Sequence, residues 1–407
     1  MSKIHRGDRP AGEEPLSAGR VEYLEAARQR QRSRRLRRGT ILVVVLTVLI
    51  LFATGAVGPS IARLTDLWDG MMITLFSNAG FPQQTGITDP LAVEPLSGAF
   101  VEMDKDSCVV YSLGGGRLNS IQSGYTRPAL AAGKTRFVLY NRSGNQLQVE
   151  SRTRNLYTKT TDDPIYLCAV ADAGQVAVVT QDPNSVAKLT VYSAAMTQQL
   201  SWNLTSEQGV PLRMAFAPDS RRIAVAAVTA TTGQVTTNLY VLGLRQGDPV
   251  SIGSGDGVPQ WLGWLSKDRV LVLYQNRAVL YDANGGERGS YDFGGSSLVS
   301  VSAAKEGAAL LLENGQLCTA VLLDKDLGVQ LACNVLAAHR IVRDSSGFYL
   351  LTDSTVECFD TAGQFQWNRQ LEAQPQALLT GRQLLVVSGN TVQQLTPPEQ
   401  DAGSAGQ

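Results

Sequence analysis

The chain has 407 residues, 43% of them hydrophobic and 18% charged, with 36 Lys/Arg balancing 36 Asp/Glu. That composition leaves room for one or two membrane-spanning segments at most, and for one large domain or two ordinary ones. The neutrality hides an asymmetry: residues 1–39 hold 11 Lys/Arg against 5 Asp/Glu, the remainder 25 against 31, and an acidic body argues against nucleic-acid binding by that body.

The first fifteen residues contain Pro10, Gly12 and Pro15 and read as disordered. Residues 16–37 have a helical pattern around Val21, Leu24, Glu25, Ala26 and Ala27 and end in an arginine run, Arg28, Arg30, Arg32, Arg34, Arg35, Arg37 and Arg38. Thr40 to Val57 is then almost continuously apolar, and no charge falls between Arg38 and Arg63. Eighteen helical residues span about 27 Å, close to the hydrocarbon thickness of a bilayer, so 40–58 is expected to be a single transmembrane helix. Arginine on its N-terminal flank sets residues 1–39 in the cytoplasm, with Arg34, Arg35, Arg37 and Arg38 against anionic lipid headgroups. A cleaved signal peptide is the competing reading; the long basic region before the apolar run argues against it.

Beyond the bilayer, Pro59 can open a new helix, in which Ile61, Leu64, Trp68, Met71 and Leu75 make one apolar stripe. Such a stripe lies on a membrane, dimerises or packs under a domain, the last being the commonest. Residues 59–98 are thus expected to be a juxtamembrane linker.

From 99 to 396 short β-rich runs alternate with Gly, Asn, Asp and Pro turns, which reads as all-β. Matching points such as LTVYSAAMTQQLSW (189–202), AVLYDANGGERGSYDF (278–293) and VECFDTAGQFQWNRQL (356–371) belong to a repeat of about 40–45 residues, the period of β-propeller blades. Inner strands starting near 128, 165, 212, 258, 297, 337 and 375 give seven blades, with eight as the alternative. The last unit stops at its third strand, so Cys108–Tyr111 and Leu118–Ile121 are expected to complete it and close the ring. Residues 397–407 read as a disordered tail.

The stretches GFPQQTG (80–86), GYTRPAL (124–130), VLYNRSGNQLQVESRT (138–153) and AVVTQDPNSVAKLTVY (177–192) resemble an uncharacterised family of single-pass, membrane-anchored propeller proteins of Gram-positive bacteria. That resemblance implies a propeller at the cell surface and no particular reaction. The repeat tails are more weakly similar to quinoprotein-like and WD40-like propellers.

No P-loop, GxSxG elbow, HExxH or EF-hand loop occurs, and the two histidines, His5 and His339, leave little for metal centres or triads. The chain is therefore read as a non-enzyme without cofactor: a binding or scaffold module of the envelope whose partners are envelope proteins or a polymer. A surface hydrolase with scattered carboxylates, a cryptic quinoprotein and a transmembrane sensor are the alternatives. A ligand would meet the face where inner strands begin, near Tyr125, Arg127, Tyr166, Arg213, Gln260 and Arg340. Cys318 and Cys333 are symmetric about the turn at Lys325–Asp326. Pairing Leu322 with Val329 would set them opposite each other, in position for a disulfide outside the cell.

Overall fold

A computed structural model describes residues 66, 68–73, 78–231, 233–381 and 383–396. The expected cytoplasmic tail with Arg34, Arg35, Arg37 and Arg38, the apolar run 40–58 and the tail 397–407 lie outside the described residues. Among those described, no helix is long and apolar enough to cross a membrane.

Residues 83–395 form eight four-stranded antiparallel sheets, and the chain is an all-β, eight-bladed propeller. The blades span residues 92–122, 128–160, 165–204, 210–256, 261–292, 297–335, 340–370 and 375–395. Seven of the inner strands begin at Pro128, Ile165, Val210, Trp261, Ser297, Arg340 and Pro375, within three residues of the expected starts.

The expectation of seven blades is corrected to eight by Ala92–Leu96, the inner strand of blade 1, in what was read as linker. Pro95 and Glu94 disguise it, since proline is depleted in strands; it is tolerated here because an innermost strand is an edge strand. The closure is corrected too. Ser107–Ser112 and Arg117–Gln122 stay in blade 1, and the two-residue strand Gln83–Gln84 pairs with Thr391–Leu395 as the outermost strand of blade 8.

The second strand of each blade is buried on both faces and sends alternate side chains to its two neighbours. In blade 3, Val176 and Val178 pack towards blade 2, while Ala177 and Val179 pack towards blade 4. The core is therefore a ring of inter-blade clusters. The seam between blades 8 and 1 is filled by Ile87, Phe100, Val109, Tyr111, Leu379, Leu385, Val387 and Val392.

Because strand direction alternates, loops entering the inner strands and loops joining second to third strands share one face, here the upper. Loops joining first to second and third to fourth strands share the lower face. Helical residues 68–73 are held to lower-face loops of blades 1 and 2. Thr153 donates to the Asp69 carboxylate at 3.3 Å, and Arg152 donates to the Asp66 carbonyl at 2.7 Å and the Ser97 carbonyl at 2.6 Å. Asp66 in turn lies 3.4 Å from the Arg136 guanidinium, whose side chain is 3% exposed. Of the stripe expected to pack under the head, Ile61, Leu64 and Leu75 lie outside the described residues, while Trp68 and Met71 are exposed and Asp69 and Ile73 are buried instead.

Candidate functional site

The inner strands begin on the upper face, where Arg213 meets Gln260 and Arg340 stands on another blade, three of the six expected residues. Arg213 donates through Nε to the Gln260 carbonyl at 3.0 Å and through Nη1 to the Leu212 carbonyl at 2.9 Å, linking blade 4 to blade 5. Arg340 donates to the Gln376 carbonyl at 2.8 Å, linking blade 7 to blade 8, and Gln376 donates to the Thr88 carbonyl at 3.1 Å beside blade 1. These contacts tie consecutive inner strands without using up the exposed charge on Arg213 and Arg340. His339 Nε2 lies 2.7 Å from the Pro375 carbonyl, so Nε2 donates, and Nδ1 is buried without a hydrogen-bond partner.

Of the other three, the two tyrosines pack between blades and Arg127 enters the inner strand of blade 2 on the same face. Tyr125 packs between blades 1 and 2, where burial raises its phenol and a hydrogen bond with Gln148 partly offsets this. Tyr166 packs between blades 3 and 4. Arg127 is exposed, and its backbone is held by the Asn141 side chain at 3.1 Å and by the Arg142 amide at 2.9 Å.

Sequence reasoning missed Glu94, on the hidden inner strand. Burial raises its carboxyl, and the nearby Arg340 charge opposes the rise. Water reaches Glu94, yet protein surrounds it, so its charge is only partly solvated. Arg340 and Glu94 thus set a cation and a carboxylate within electrostatic reach of each other on the inner strands of blades 7 and 1.

A second concavity, a cleft of about 370 Å³, opens at the rim between blades 2 and 3, lined by Lys159, Lys188, Thr180, Thr190 and Tyr192. It forms where the apolar contact of Val176 and Val178 gives way to Thr180. Lys159 sits 5.0 Å from the Tyr192 ring centroid as a cation–π pair.

Among the described residues, no three His, Cys, Asp or Glu side chains gather as a metal would require. The thiols are placed for packing. Burial pushes Cys108 up to about 12 and Cys358 up to about 11, far from nucleophilic thiolates. The expected juxtaposition of Cys318 with Cys333 is corrected by the register: Cys318 opposes Val335 and Cys333 opposes Ala320, and both are free. The turn closes from Asp324 to Gly328, centred on Asp326, and a bulge at Leu322/Leu323 inserts one more residue; together they displace the strands by two residues from the symmetric pairing.

Residues 82–286, from the ring-closing strand into blade 5, match the model of a family described as a family of unknown function, DUF5711. The chain belongs to this family. DUF5711 carries no assigned reaction, and the matched residues are those of the propeller. No curated protein matches the chain. Among solved structures, this DUF5711 chain is similar to BamB from Moraxella catarrhalis, at 13% identity over 77% of this chain and 98% of that one, with a TM-score of 0.52. The C-terminal WD40 domain of Sif2 is similar at 11% identity over 77% and 97%, TM-score 0.56. Sqt1 of Chaetomium thermophilum, bound to the N-terminus of ribosomal protein L10, is similar at 11% over 76% and 98%, TM-score 0.53. At such identities the likeness shows the propeller fold alone.

Proposed function

We propose that this chain is a membrane-anchored binding or scaffold module of the cell envelope. Its propeller stands outside the cell and engages a protein or polymer partner across the upper face. The observation that carries this reading is the lacing of inner strands at three junctions, blades 4 to 5, 7 to 8 and 8 to 1. Arg213–Gln260, Arg340–Gln376 and Gln376–Thr88 brace consecutive blades while Arg127, Arg213 and Arg340 stay exposed. A braced platform loses little conformational entropy on binding, which favours recognition. The apolar run 40–57 behind its arginine flank supports the anchor and the orientation. That Sqt1, of the same fold, is bound to the N-terminus of another protein supports a peptide-bearing partner.

The test is proximity labelling in the native cell from a label fused after Gln407, with protease shaving of intact cells. Removal of the head by shaving, and labelled envelope proteins that are lost in the Arg213→Glu/Arg340→Glu variant, are expected. A protected head with cytosolic partners would invert the topology and overturn the reading.

A further inference from the structure

We propose that the lower face of the propeller rests on the lipid bilayer through Trp68, Met71 and Met72, with Lys134 and Arg154 on the headgroups beside them. This rests on the anchored reading above and adds to it an orientation.

The helical residues 68–73 and Asp66 sort their side chains into two faces. Asp66, Asp69 and Ile73 recur at i, i+3 and i+7 and hold the propeller, with Asp69 8% and Ile73 5% exposed. Trp68, Met71 and Met72 recur at i, i+3 and i+4 on the other face and are 61%, 46% and 39% exposed. The apolar face is thus turned outwards by specific polar contacts to buried Arg136 and Arg152, at the position where burying it in the protein would have been the simpler arrangement.

The occupant follows from where the chain comes from. Ten residues, 58–67, separate the apolar run from Trp68. Fully extended they reach about 35 Å, which bounds how far along the chain Trp68 can stand from the end of the run. Tryptophan is the side chain most at home at the headgroup level, and methionine adapts to an irregular apolar surface.

Charge agrees. Lys134 lies in the loop that also supplies Thr135 and Arg136 to Asp66, and Arg154 follows Thr153, which holds Asp69. Both are exposed and neither forms an ion pair among the described residues. Cations beside an apolar helical face match an anionic lipid surface. The upper face, with Arg213, Gln260 and Arg340, would then point away from the membrane.

The experiment uses the full chain reconstituted in vesicles of phosphatidylcholine and phosphatidylglycerol, with and without brominated acyl chains. The emission of Trp68 is the difference between the wild type and Trp68→Phe, a change at an exposed site. Quenching of that component by about twofold or more in brominated vesicles is expected, with weaker quenching in Lys134→Glu/Arg154→Glu. An unquenched component in a chain that floats with the vesicles would overturn the docking and leave the anchor intact. A blue-shifted, unquenched component already present in detergent would assign the face to a second copy and equally overturn it. A chain that does not float would remove the anchor itself, and the docking with it.

Discussion

Tyr111 of blade 1 donates its hydroxyl to the carbonyl of Gln84 at 3.2 Å, so the first blade grips the two-residue strand that closes the eighth. The strand makes few ladder bonds of its own, and the ring seam depends on such side-chain contacts. Thr85 adds to them, its hydroxyl lying 3.3 Å from the Asn390 carbonyl.

Tyr111→Phe keeps the ring stacked on Phe100, 5.8 Å away, and removes only the hydroxyl. A loss of about 1 kcal/mol is expected by urea unfolding. Faster hydrogen exchange should be confined to residues 83–87 and 391–395. Uniform exchange changes across all blades would show that the seam is not held this way.

Glu102 is fully buried at the same seam and neither carboxylate oxygen has a hydrogen-bond partner. Burial pushes its carboxyl up to about 7; the nearby Thr85 hydroxyl lowers it, and Asp104 raises it further. The Thr85 hydroxyl also lies within reach of the Ile87 and Asn390 carbonyls, which compete for its proton. Because the folded value lies above the unfolded one, the unfolded chain releases this proton first as pH rises. Stability from this group therefore falls between about pH 4.5 and 7 and stays low above, by on the order of 3 kcal/mol. Glu102→Gln should flatten that part of the pH–stability curve and raise the melting temperature at pH 8. An unchanged slope would mean the carboxylate is solvated in solution.

Gly307 opens the second strand of blade 6 at φ 134°, and a Cβ there would lie 2.0 Å from the Leu323 carbonyl oxygen. Gly307→Ala is expected to cost roughly 2 kcal/mol or more, since neither the backbone conformation nor the space admits a side chain. Gly124, at φ 60° with nothing within 4 Å, is the matched comparison: Gly124→Asn should be nearly neutral in the same thermal melt.

Cys318 and Cys333 sit diagonally on one face of blade 6, and diagonal partners stand about 7–8 Å apart, beyond the reach of a disulfide. Mild oxidation of the wild type should leave both thiols free in a peptide map. Ala320→Cys, directly opposite Cys333, should instead form a bond with it. A Cys318–Cys333 bridge in the wild type would mean the register slips in solution.

The propeller was legible wherever a strand is buried on both faces. Runs such as RFVLYN and VAVVTQD announce themselves by β-branched and aromatic side chains between turn residues, and seven inner strands could be counted beside them. The eighth was hidden because AVEPL has neither alternation nor β-rich composition; its place is set by Val93 and Leu96 packing into neighbouring clusters. The closing strand, at two residues, is too short for any period to register. The cysteine register failed because the turn centres on Asp326 and a bulge adds one more residue, and neither shows in the symmetry of the sequence around Lys325–Asp326. The repeat phase alone was enough to place Arg213, Gln260 and Arg340 where inner strands begin. Tyr125 and Tyr166 occupy similar phases but are drawn between blades by the apolar area of their rings.

The order of attachments along the N-terminal segment determines how the head bears load. A pull arriving through residues 58–65 meets the Asp66–Arg136 and Asp69–Thr153 contacts first, next the Asn78–Gly115 bridge with the hydrogen bonds from Ala79 and Gly80 to the Gly114 carbonyl, and only then Gln83–Gln84. Tension is therefore handed to blades 1 and 2, whose strands are four deep, before it can shear the shortest strand in the ring. Under such a pull the two-residue clasp stands last in the order of loading, behind the Asp66, Asp69 and Asn78 contacts.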